Sequence, residues 1–276
     1  MLTDNVLLLQ HSYETPMPQN VKITIIQTDI KWASPKDNII SAEAMLDGAR
    51  QSDLYVLPEM WATGFGAPPT EACTTLPLEW MRCTAAQRQC AICGSLAAKA
   101  GDGTLRNRLY FVRPDSTMCF YDKHHLFACG GEDRHYTPGS KRTVAEYMGT
   151  RFLLLTCYDL RFPVWARYRG DYDAIILAAN WPESRQHAWQ TLTCARAIEN
   201  QCYVIAANRT GSDPTCRYAG GSAVIDPKGR ITAQADGRGQ QTVTAHIDTG
   251  ALREFRTKFP VLEDRDTYFL EHNKDN

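Results

Sequence analysis

Short runs of apolar and β-branched residues alternate along this chain with longer segments of helical periodicity. Apolar runs bounded by turn residues are typical of buried strands, whereas apolar positions three and four apart indicate a helix. On these criteria the predicted strands are 21–28, 53–59, 90–98, 151–157, 173–180 and 202–208. The predicted helices are 34–49, about 78–89, 185–201 and 252–259. Such alternation predicts an α/β fold.

Further strands separated by turn residues read as hairpins, which predicts mixed sheets. These strands are 105–113, 117–123, 218–226, 231–235 and 241–248. The two halves of the chain share a rhythm of strand, helix and strand, which favours a sandwich of two sheets with helices outside. Residues 128–143 are rich in Gly, Pro and charge and form a long loop of the kind that often carries function.

Length and composition place the chain among ordinary soluble enzymes. It has 276 residues, 43% of them hydrophobic and 22% charged, which is enough for a substantial core. No linker-like change in composition divides it. We expect one domain over residues 21–260, an N-terminal extension of unknown role at 1–20 and a C-terminal tail at 261–276.

The charge distribution argues against a nucleic-acid partner or an anionic membrane. The net charge is -1, the isoelectric point is about 6.6, and the basic residues are scattered. No apolar run approaches the ~18 residues that a membrane span needs. Asp4 stands where a secretory signal would carry basic residues. We therefore expect a cytoplasmic protein that acts on a small molecule.

The ten cysteines also fit a reducing cytoplasm, because a chain of this size does not need disulfides. Cys90 and Cys93 match the Cys-x-x-Cys spacing of redox and zinc motifs. A redox pair would open a helix and a zinc site would need a second pair, but these two begin a predicted strand. A spacing of three along a strand points the side chains to opposite faces, so we interpret both as structural.

Cys157 follows the apolar run 151–156, and Pro163 then opens an amphipathic segment that predicts a helix. In open α/β folds such a strand end lies where ligands bind. A thiol near a helix N-terminus is expected to be stabilised as thiolate, and the free N–H groups there can hold an oxyanion. The alternative is a buried structural cysteine.

Two more polar residues, Glu59 and Lys123, end predicted strands as Cys157 does. Strand ends converge at one edge of an α/β fold, so a carboxylate, an ammonium and a thiol could meet there. The carboxylate would take the thiol proton, the thiolate would attack, and the lysine would hold the developing oxyanion. Taken singly, Glu59 could instead be a solvated carboxylate and Lys123 an exposed charge that protects a sheet edge.

The segments around these residues resemble the signature blocks of the nitrilase (carbon–nitrogen hydrolase) superfamily, in the same order. They read Leu-Pro-Glu-Met-Trp-Ala-Thr-Gly-Phe around Glu59, Tyr-Asp-Lys-His-His-Leu-Phe around Lys123 and Cys-Tyr-Asp-Leu-Arg-Phe-Pro from Cys157. The resemblance implies a four-layer αββα sandwich, paired through the helical face near Cys157 into a homodimer or higher homo-oligomer. It implies Glu59 as general base, Lys123 as oxyanion stabiliser and Cys157 as nucleophile.

The resemblance also implies a second glutamate in the loop after the lysine. Glu132 matches it best, with Asp133 as the alternative, and would position Lys123 or the substrate amide. The main-chain N–H of Tyr158 would be a second oxyanion donor. The scheme requires no metal and no organic cofactor.

Within the superfamily the chain is most similar to the ω-amidase branch, which hydrolyses monoamides of four- and five-carbon dicarboxylates such as 2-oxoglutaramate and 2-oxosuccinamate. A guanidinium would bind the free carboxylate of such a substrate. Arg161 is the first candidate and Arg134 the second, although Arg161 could equally form a structural ion pair. The candidate pocket walls are Trp181, Phe127 and Tyr136. We interpret Arg196, Glu199 and Asn200 as an ion-paired helix surface near the dimer contact.

Other functions remain open at this stage. Within the superfamily they are an N-carbamoyl-amine hydrolase, a deaminated-glutathione amidase or a nitrilase proper; outside enzymes, a non-catalytic scaffold of the same fold. A metal site at His124 and His125 is disfavoured because neighbours on a strand point to opposite faces.

Overall fold

Two six-stranded sheets form the centre of the molecule. The computed structural model describes residues 20–66, 71–237 and 239–270. The first sheet contains β1 (Asn20–Gln27), β2 (Leu54–Val56), β3 (Ala91–Lys99), β4 (Leu105–Val112), β5 (Met118–Asp122) and β14 (Gln241–Asp248). The second contains β6 (Val144–Tyr147), β7 (Thr150–Thr156), β8 (Ala174–Ala179), β9 (Tyr203–Asn208), β12 (Ala223–Ile225) and β13 (Ile231–Gln234). A small hairpin of β10 (Thr210–Ser212) and β11 (Arg217–Ala219) stands apart.

Both sheets are mixed and share one plan, as the repeated rhythm of the sequence predicted. The first runs in the order β14-β1-β2-β3-β4-β5, with β1, β2 and β3 parallel and the outer strands antiparallel. The second runs β13-β12-β9-β8-β7-β6, with β7, β8 and β9 parallel and antiparallel strands outside them. The strands β2 and β8 are therefore the middle parallel strands of their sheets.

Helices cover the outer faces of the two sheets. They are α1 (Pro35–Gly48), α2 (Glu71–Arg88), α3 (Pro163–Ala166), α4 (Gln186–Asn200) and α5 (Thr249–Lys258). Ala42 and Leu46 of α1 and Met81 of α2 pack on the first sheet in one buried cluster. Trp165 of α3 and Ala197 of α4 join the buried cluster that includes the second sheet and the space between the sheets. The predicted four-layer αββα sandwich is confirmed.

The two halves of the Cys-x-x-Cys pair lie in different cores. Cys93 belongs to the cluster between the sheets, whereas Cys90 lies in the cluster beneath α1 and α2. Both thiols are free and buried. They are structural cysteines on opposite faces of the first sheet, as the spacing predicted.

Two helix predictions were wrong in extent. The helix predicted over about 78–89 begins at Glu71, with Pro77 inside it. After β7 the chain first makes a 3₁₀ helix, Cys157–Arg161, and α3 is only four residues long. Pro163 does open α3, as predicted, but its missing N–H and fixed φ separate α3 from the preceding turn.

Candidate active site

Glu59 lies in a tight turn that begins after β2 and is fastened to β3. The main-chain N–H of Leu57 bonds the carbonyl of Cys93, and the N–H of Met60 bonds the Ser95 hydroxyl at 2.9 Å. Met60 has a φ of 45°, an unfavourable left-handed value for a residue with a side chain. The turn points the Glu59 carboxylate into the protein, where its exposure is 0%. The alternative of a solvated carboxylate is therefore wrong.

Lys123 follows β5 and is also buried, with an exposure of 1%. Its main-chain N–H and carbonyl are held by Asn107 and Gly139. Its ammonium donates to Glu59 Oε1 at 2.9 Å and to Glu132 Oε2 at 2.8 Å. Lys123 is therefore the centre of a buried ion-pair network, and the alternative of an exposed edge charge is wrong.

Glu132 begins the 3₁₀ helix Glu132–Arg134 in the long loop after Lys123. Besides the lysine, its carboxylate accepts the main-chain N–H of Phe127 at 2.7 Å and the amide of Asn107 at 2.9 Å. Asp133 is exposed. Of the two acids considered, Glu132 is the one that reaches the lysine.

Burial alone would lower the pKa of Lys123. The negative charges of Glu132 and then Glu59 outweigh that effect and raise the pKa above its usual range. The lysine is therefore a fixed positive charge at any working pH, as an oxyanion donor must be.

Cys157 stands at the end of β7 and begins the 3₁₀ helix. Its φ of 43° is left-handed, and a non-glycine residue in that region carries strain of about 1–3 kcal/mol, which is most often retained at functional sites. The residue as a whole is partly exposed, whereas Asn180, whose carbonyl oxygen lies 3.9 Å from Sγ, is buried. The turn thus holds the sulfur beside the buried residue that follows β8.

The electrostatics of Cys157 correct one prediction. Burial, and next the negative charge of Glu59, hold the pKa of the Cys157 thiol well above its usual range, and Lys123 opposes them only in part. The helix that follows is a short 3₁₀ turn, too short to supply the dipole on which the prediction of a stabilised thiolate depended. The Cys157 thiol is therefore neutral at rest, and it needs a nearby base if it is to act as a nucleophile.

The turn after Cys157 is locked by the buried carboxylate of Asp159. One oxygen accepts the N–H of Thr156 at 3.0 Å and the hydroxyl of Tyr121 at 2.8 Å, and the other accepts the N–H of His125 at 2.9 Å. Asp159 therefore joins the loop that carries Lys123 to the turn that carries the nucleophile.

Tyr158 is the second residue of the same 3₁₀ helix. An N–H at this position has no carbonyl partner within its helix, so it is free to face a bound group. This is the location that an oxyanion donor next to the nucleophile requires.

Arg161 ends the 3₁₀ helix with an exposed side chain. Its guanidinium lies 4.9 Å from the centre of the Trp181 ring, and it forms no ion pair with any carboxylate of the described residues. Trp181 is buried, and its indole N–H donates to the carbonyl of Arg185 at 2.8 Å. The structural ion pair considered for Arg161 is therefore absent from the described part of the chain.

Phe127 lies close to the catalytic candidates, as predicted for a pocket wall. Its ring centre is 5.0 Å from that of Tyr158 and 6.5 Å from that of Phe65, which in turn lies 5.4 Å from the Lys123 ammonium. Arg185 places its guanidinium 5.2 Å from the Phe127 ring. These aromatic rings border the space above the lysine.

The other two binding candidates lie elsewhere in the same loop. Tyr136 is buried with Met60 and Ala97 in a small cluster, and its N–H bonds the carbonyl of Glu132. Arg134 is exposed and lies beside Gly131. The binding roles of both residues stay predictions.

The α4 residues Arg196, Glu199 and Asn200 have structural contacts, as predicted, but two of the three are buried rather than on a surface. Arg196 bonds Glu199 at 2.9 Å and the carbonyl of Leu160, and both Arg196 and Asn200 are buried. Through the Leu160 carbonyl, Arg196 is bonded to the 3₁₀ helix that begins at Cys157.

Three residues near the site escaped the sequence reasoning as functional candidates. Asn180 donates its main-chain N–H to Glu59 Oε2 at 2.9 Å and its side-chain amide to the Glu59 carbonyl. It ends β8, so the strand-end signal that selected Cys157 could have found it. Asn107 lies within β4 and Arg185 precedes α4, and no pattern distinguishes either of them in the sequence.

The two histidines after Lys123 are held by protein groups. The His124 ring stacks on Trp165, with 3.7 Å between centres, and the His125 ring stacks on Phe162 while its Nδ1 lies 2.8 Å from Asp159. Within the described ranges, His, Cys, Asp and Glu side chains form no group of three that could hold a metal ion. Among the helices of those ranges, none is long and apolar enough to cross a bilayer.

Comparison with known proteins identifies the family of the chain. The carbon–nitrogen hydrolase family matches residues 22–257. The chain belongs to the carbon–nitrogen hydrolase family and is a hydrolase of carbon–nitrogen bonds. The resemblance seen in the sequence is thereby confirmed.

Individual relatives are similar over nearly their whole length. The chain is 42% identical to omega-amidase YafV of Escherichia coli strain K12, over 91% of this chain and 98% of that protein. It is 34% identical to the 2-oxoglutaramate amidase of Bacillus subtilis, over 88% of this chain and 96% of the relative. Among solved structures, the CN-hydrolase superfamily protein XC1258 of Xanthomonas campestris has a TM-score of 0.85 and 38% identity, covering 91% of this chain and 99% of that one. That crystal structure carries an arsenic adduct in its active site.

Proposed function

We propose that the protein is an ω-amidase, which hydrolyses the amide of a small carboxylate-bearing monoamide to the acid and ammonia through a thioester on Cys157. The observation that carries this is the meeting of the strand ends: Lys123 bonds Glu59 and Glu132 inside the protein, and Asn180, which donates to Glu59, places its carbonyl oxygen 3.9 Å from the Cys157 sulfur. The amidase names of the relatives support the class of substrate.

The proposed reaction begins with proton transfer from Cys157 to Glu59 as the sulfur attacks the amide carbon. Lys123 and the N–H of Tyr158 hold the oxyanion of the tetrahedral intermediate. Glu59 then gives its proton to the departing ammonia, and the thioester remains. Water, deprotonated by Glu59, attacks the thioester and releases the acid and the thiol. Glu132 holds Lys123 in place.

The raised pKa of the Cys157 thiol fits this scheme. A thiol that is neutral at rest gives up its proton only when attack begins, so charge is not stored on sulfur in the resting enzyme. Lys123 is already charged and already positioned, which reduces the reorganisation needed as the oxyanion forms.

Two arginines are proposed to select the free carboxylate of the substrate. The Arg161 guanidinium rests on Trp181 and that of Arg185 on Phe127, at 4.9 Å and 5.2 Å from the ring centres. Neither forms an ion pair with a carboxylate in the described ranges, so both can bind an anion. Arg134 remains a weaker candidate, because its side chain is exposed and, within the described part of the chain, lies over no aromatic ring.

The test is ammonia release from a panel of substrates with purified protein. The panel contains 2-oxoglutaramate and 2-oxosuccinamate, N-carbamoyl amines, deaminated glutathione and small nitriles, and Cys157→Ala is the control. Turnover of the first pair with the largest kcat/KM, lost in Cys157→Ala, is expected. Preference for an N-carbamoyl amine, deaminated glutathione or a nitrile would replace the ω-amidase assignment with that activity. No turnover of any compound would favour a non-catalytic scaffold.

We further propose that the protein works in the cytoplasm as a homodimer paired through the helical layer beside the nucleophile. Val164 of α3 and Ile198 of α4 are about half exposed there, at 49% and 54%. Pairing would remove this apolar surface from water. Light scattering should give twice the chain mass of 31.0 kDa, and Ile198→Glu should shift the protein toward monomer. A monomeric wild-type protein would contradict the proposal.

A further inference from the structure

Asn107 is the one neutral side chain in a closed ring of four buried polar groups, which we call the carboxylate ring: Glu59, Asn107, Glu132 and Lys123. The amide nitrogen of Asn107 donates to Glu59 Oε1 at 2.8 Å and to Glu132 Oε1 at 2.9 Å. Lys123 bridges the same two acids from the other side. All four side chains are at most 3% exposed.

The orientation of the Asn107 amide follows from the groups on its two sides. Carboxylate oxygens only accept hydrogen bonds, so the group of Asn107 that faces Glu59 and Glu132 is its amide nitrogen. On the other side the Ser95 hydroxyl donates to Asn107 Oδ1 at 2.8 Å while it accepts the N–H of Met60 at 2.9 Å. Ser95 therefore holds the amide oxygen away from the two carboxylates.

Counting lone pairs shows what this does to Glu59. Each carboxylate oxygen can accept about two hydrogen bonds. Oε1 of Glu59 accepts from both Asn107 and Lys123, and so is filled, whereas Oε2 accepts, among the described donors, the N–H of Asn180. One position on Oε2 therefore remains for the proton of Cys157, whose sulfur lies 3.9 Å from the carbonyl oxygen of the same Asn180.

Glu132 is held differently. Its Oε2 accepts from Lys123 and from the N–H of Phe127, and its Oε1 accepts from Asn107. All three donors are parts of the protein scaffold. The same asparagine thus serves a carboxylate that exchanges protons and one that does not.

We propose that Asn107, fixed by Ser95, is a positioning residue that directs the proton of Cys157 to Oε2 of Glu59 and holds both glutamates in place beside a single lysine. The ring carries two carboxylates and one ammonium, so one negative charge has no partner cation. Two neutral N–H groups stabilise that charge, and they weaken Glu59 as a base less than a second ammonium would. This inference rests on the proposed cysteine amidase chemistry.

Asn107→Ala and Asn107→Asp test the proposal. Asn107→Ala removes both donors, so we expect kcat to fall on the order of 100-fold with KM changed less than about threefold. The acidic limb of the kcat/KM profile should move to higher pH, because a carboxylate that loses donors is protonated more easily. Asn107→Asp keeps the shape of the side chain but places a third carboxylate in the ring. We therefore expect it to have a lower kcat than Asn107→Ala above pH 8.

Asn38→Ala is the matched control. Asn38 is buried like Asn107 and also donates both amide hydrogens, but to the main-chain carbonyls of Lys31 and Ala62. Its loss should lower the melting temperature, with kcat and the pH profile close to those of the wild type. A structural role for Asn107 would make its variants resemble this control.

Ser95→Ala keeps both donors of Asn107 but releases its amide orientation. It should lower kcat by roughly tenfold and move the acidic limb in the same direction. If the Asn107 variants fail to fold, this variant decides the question. A folded Asn107→Ala or Ser95→Ala enzyme with wild-type kcat and an unchanged acidic limb would overturn the proposal, as would an Asn107→Asp enzyme that matches Asn107→Ala above pH 8.

A readout that needs no substrate separates this proposal from the proposed function. The rate at which iodoacetamide alkylates Cys157, followed by peptide mass mapping, depends on Glu59 as base. Asn107→Ala should move the acidic limb of that rate upward in pH even if no tested amide is hydrolysed. Normal alkylation in Asn107→Ala would overturn the positioning role, whereas inactivity of the wild-type protein on every amide would overturn only the function.

Discussion

Asn180 and Glu59 follow the middle parallel strands of opposite sheets and are hydrogen-bonded to each other twice. The main-chain N–H of Asn180 donates to Glu59 Oε2 at 2.9 Å, and its side-chain amide donates to the Glu59 carbonyl. The Asn180 carbonyl lies 3.9 Å from the Cys157 sulfur. The proposed general base and the proposed nucleophile are thus both in contact with one residue, which joins the two sheets at the carboxyl ends of these strands.

Replacing the nucleophile should abolish turnover without unfolding the protein. In Cys157→Ser the hydroxyl is a far weaker acid than the thiol, so we expect amide hydrolysis to fall by at least ~1000-fold. Circular dichroism should show an unchanged fold, because the substitution keeps the size of the side chain. Ammonia release and thermal melting measure the two effects. An active Cys157→Ser enzyme would exclude the thioester scheme.

Removing the central lysine should cost both activity and stability. Lys123→Met leaves Glu59 and Glu132 buried without their common cation, and breaking a buried pair costs about 3–5 kcal/mol. The control is Lys258→Met, which removes an exposed pair with Glu254 worth at most about 1 kcal/mol. Urea unfolding at pH 7 compares the two variants. Equal losses of stability in Lys123→Met and Lys258→Met would contradict the buried ion-pair network around Lys123.

The arginine assignment predicts a loss that depends on the substrate. Arg161→Met and Arg185→Met should each raise KM for a carboxylate-bearing monoamide by ~10- to 100-fold, because a desolvated guanidinium–carboxylate bond is worth about 1.5–3 kcal/mol. A neutral amide of the same length should be hydrolysed as well as by the wild type. Arg134→Met, at the position of the weaker candidate, should raise KM less than either. If the variants lost activity equally on carboxylate-bearing and neutral amides, both arginines would have a structural role and would not bind the substrate carboxylate.

Because several thiols are buried, we expect the free energy of unfolding to fall at alkaline pH. Burial raises the pKa of Cys90 to about 11, and it also holds the pKa values of Cys93 and Cys202 above their usual range. An unfolded thiol ionises near ~8.5, so the stabilisation is complete below that pH and is lost as the pH rises toward the folded value. For Cys90 the loss is at most about 1.4 kcal/mol per pH unit between pH 8.5 and about 11.

Urea unfolding under reducing conditions at pH 8 and pH 10.5 measures this effect. The free energy of unfolding should fall over that interval, and it should fall less in Cys90→Ala, which has one fewer buried thiol to ionise in the unfolded state. A Cys90→Ala protein with the wild-type dependence on pH would contradict the assignment.

The order of elements and the identity of the reactive groups were readable from the sequence for local reasons. Apolar runs ending in Glu59, Lys123 and Cys157 fixed which side chains stand at strand ends, and the spacing of Cys90 and Cys93 fixed that they face different cores. The three motif blocks then indicated the family, because each combines a strand end with a reactive residue in the family order. The division into residues 1–20, 21–260 and 261–276 stays a prediction, and residues 1–19 and 271–276 lie outside the described part of the chain.

Only the tertiary structure decided how those groups work. The protonation of Cys157 depends on burial and on a carboxylate from the other sheet, which overrides the local argument from a helix terminus. The roles of Asn107 and Arg185 depend on contacts between residues far apart in the chain, and a local pattern cannot encode such contacts. The sequence determined which chemical groups reach the cleft, and the packing of the two sheets determined their charges and their partners, because burial and charge separation are properties of the folded chain.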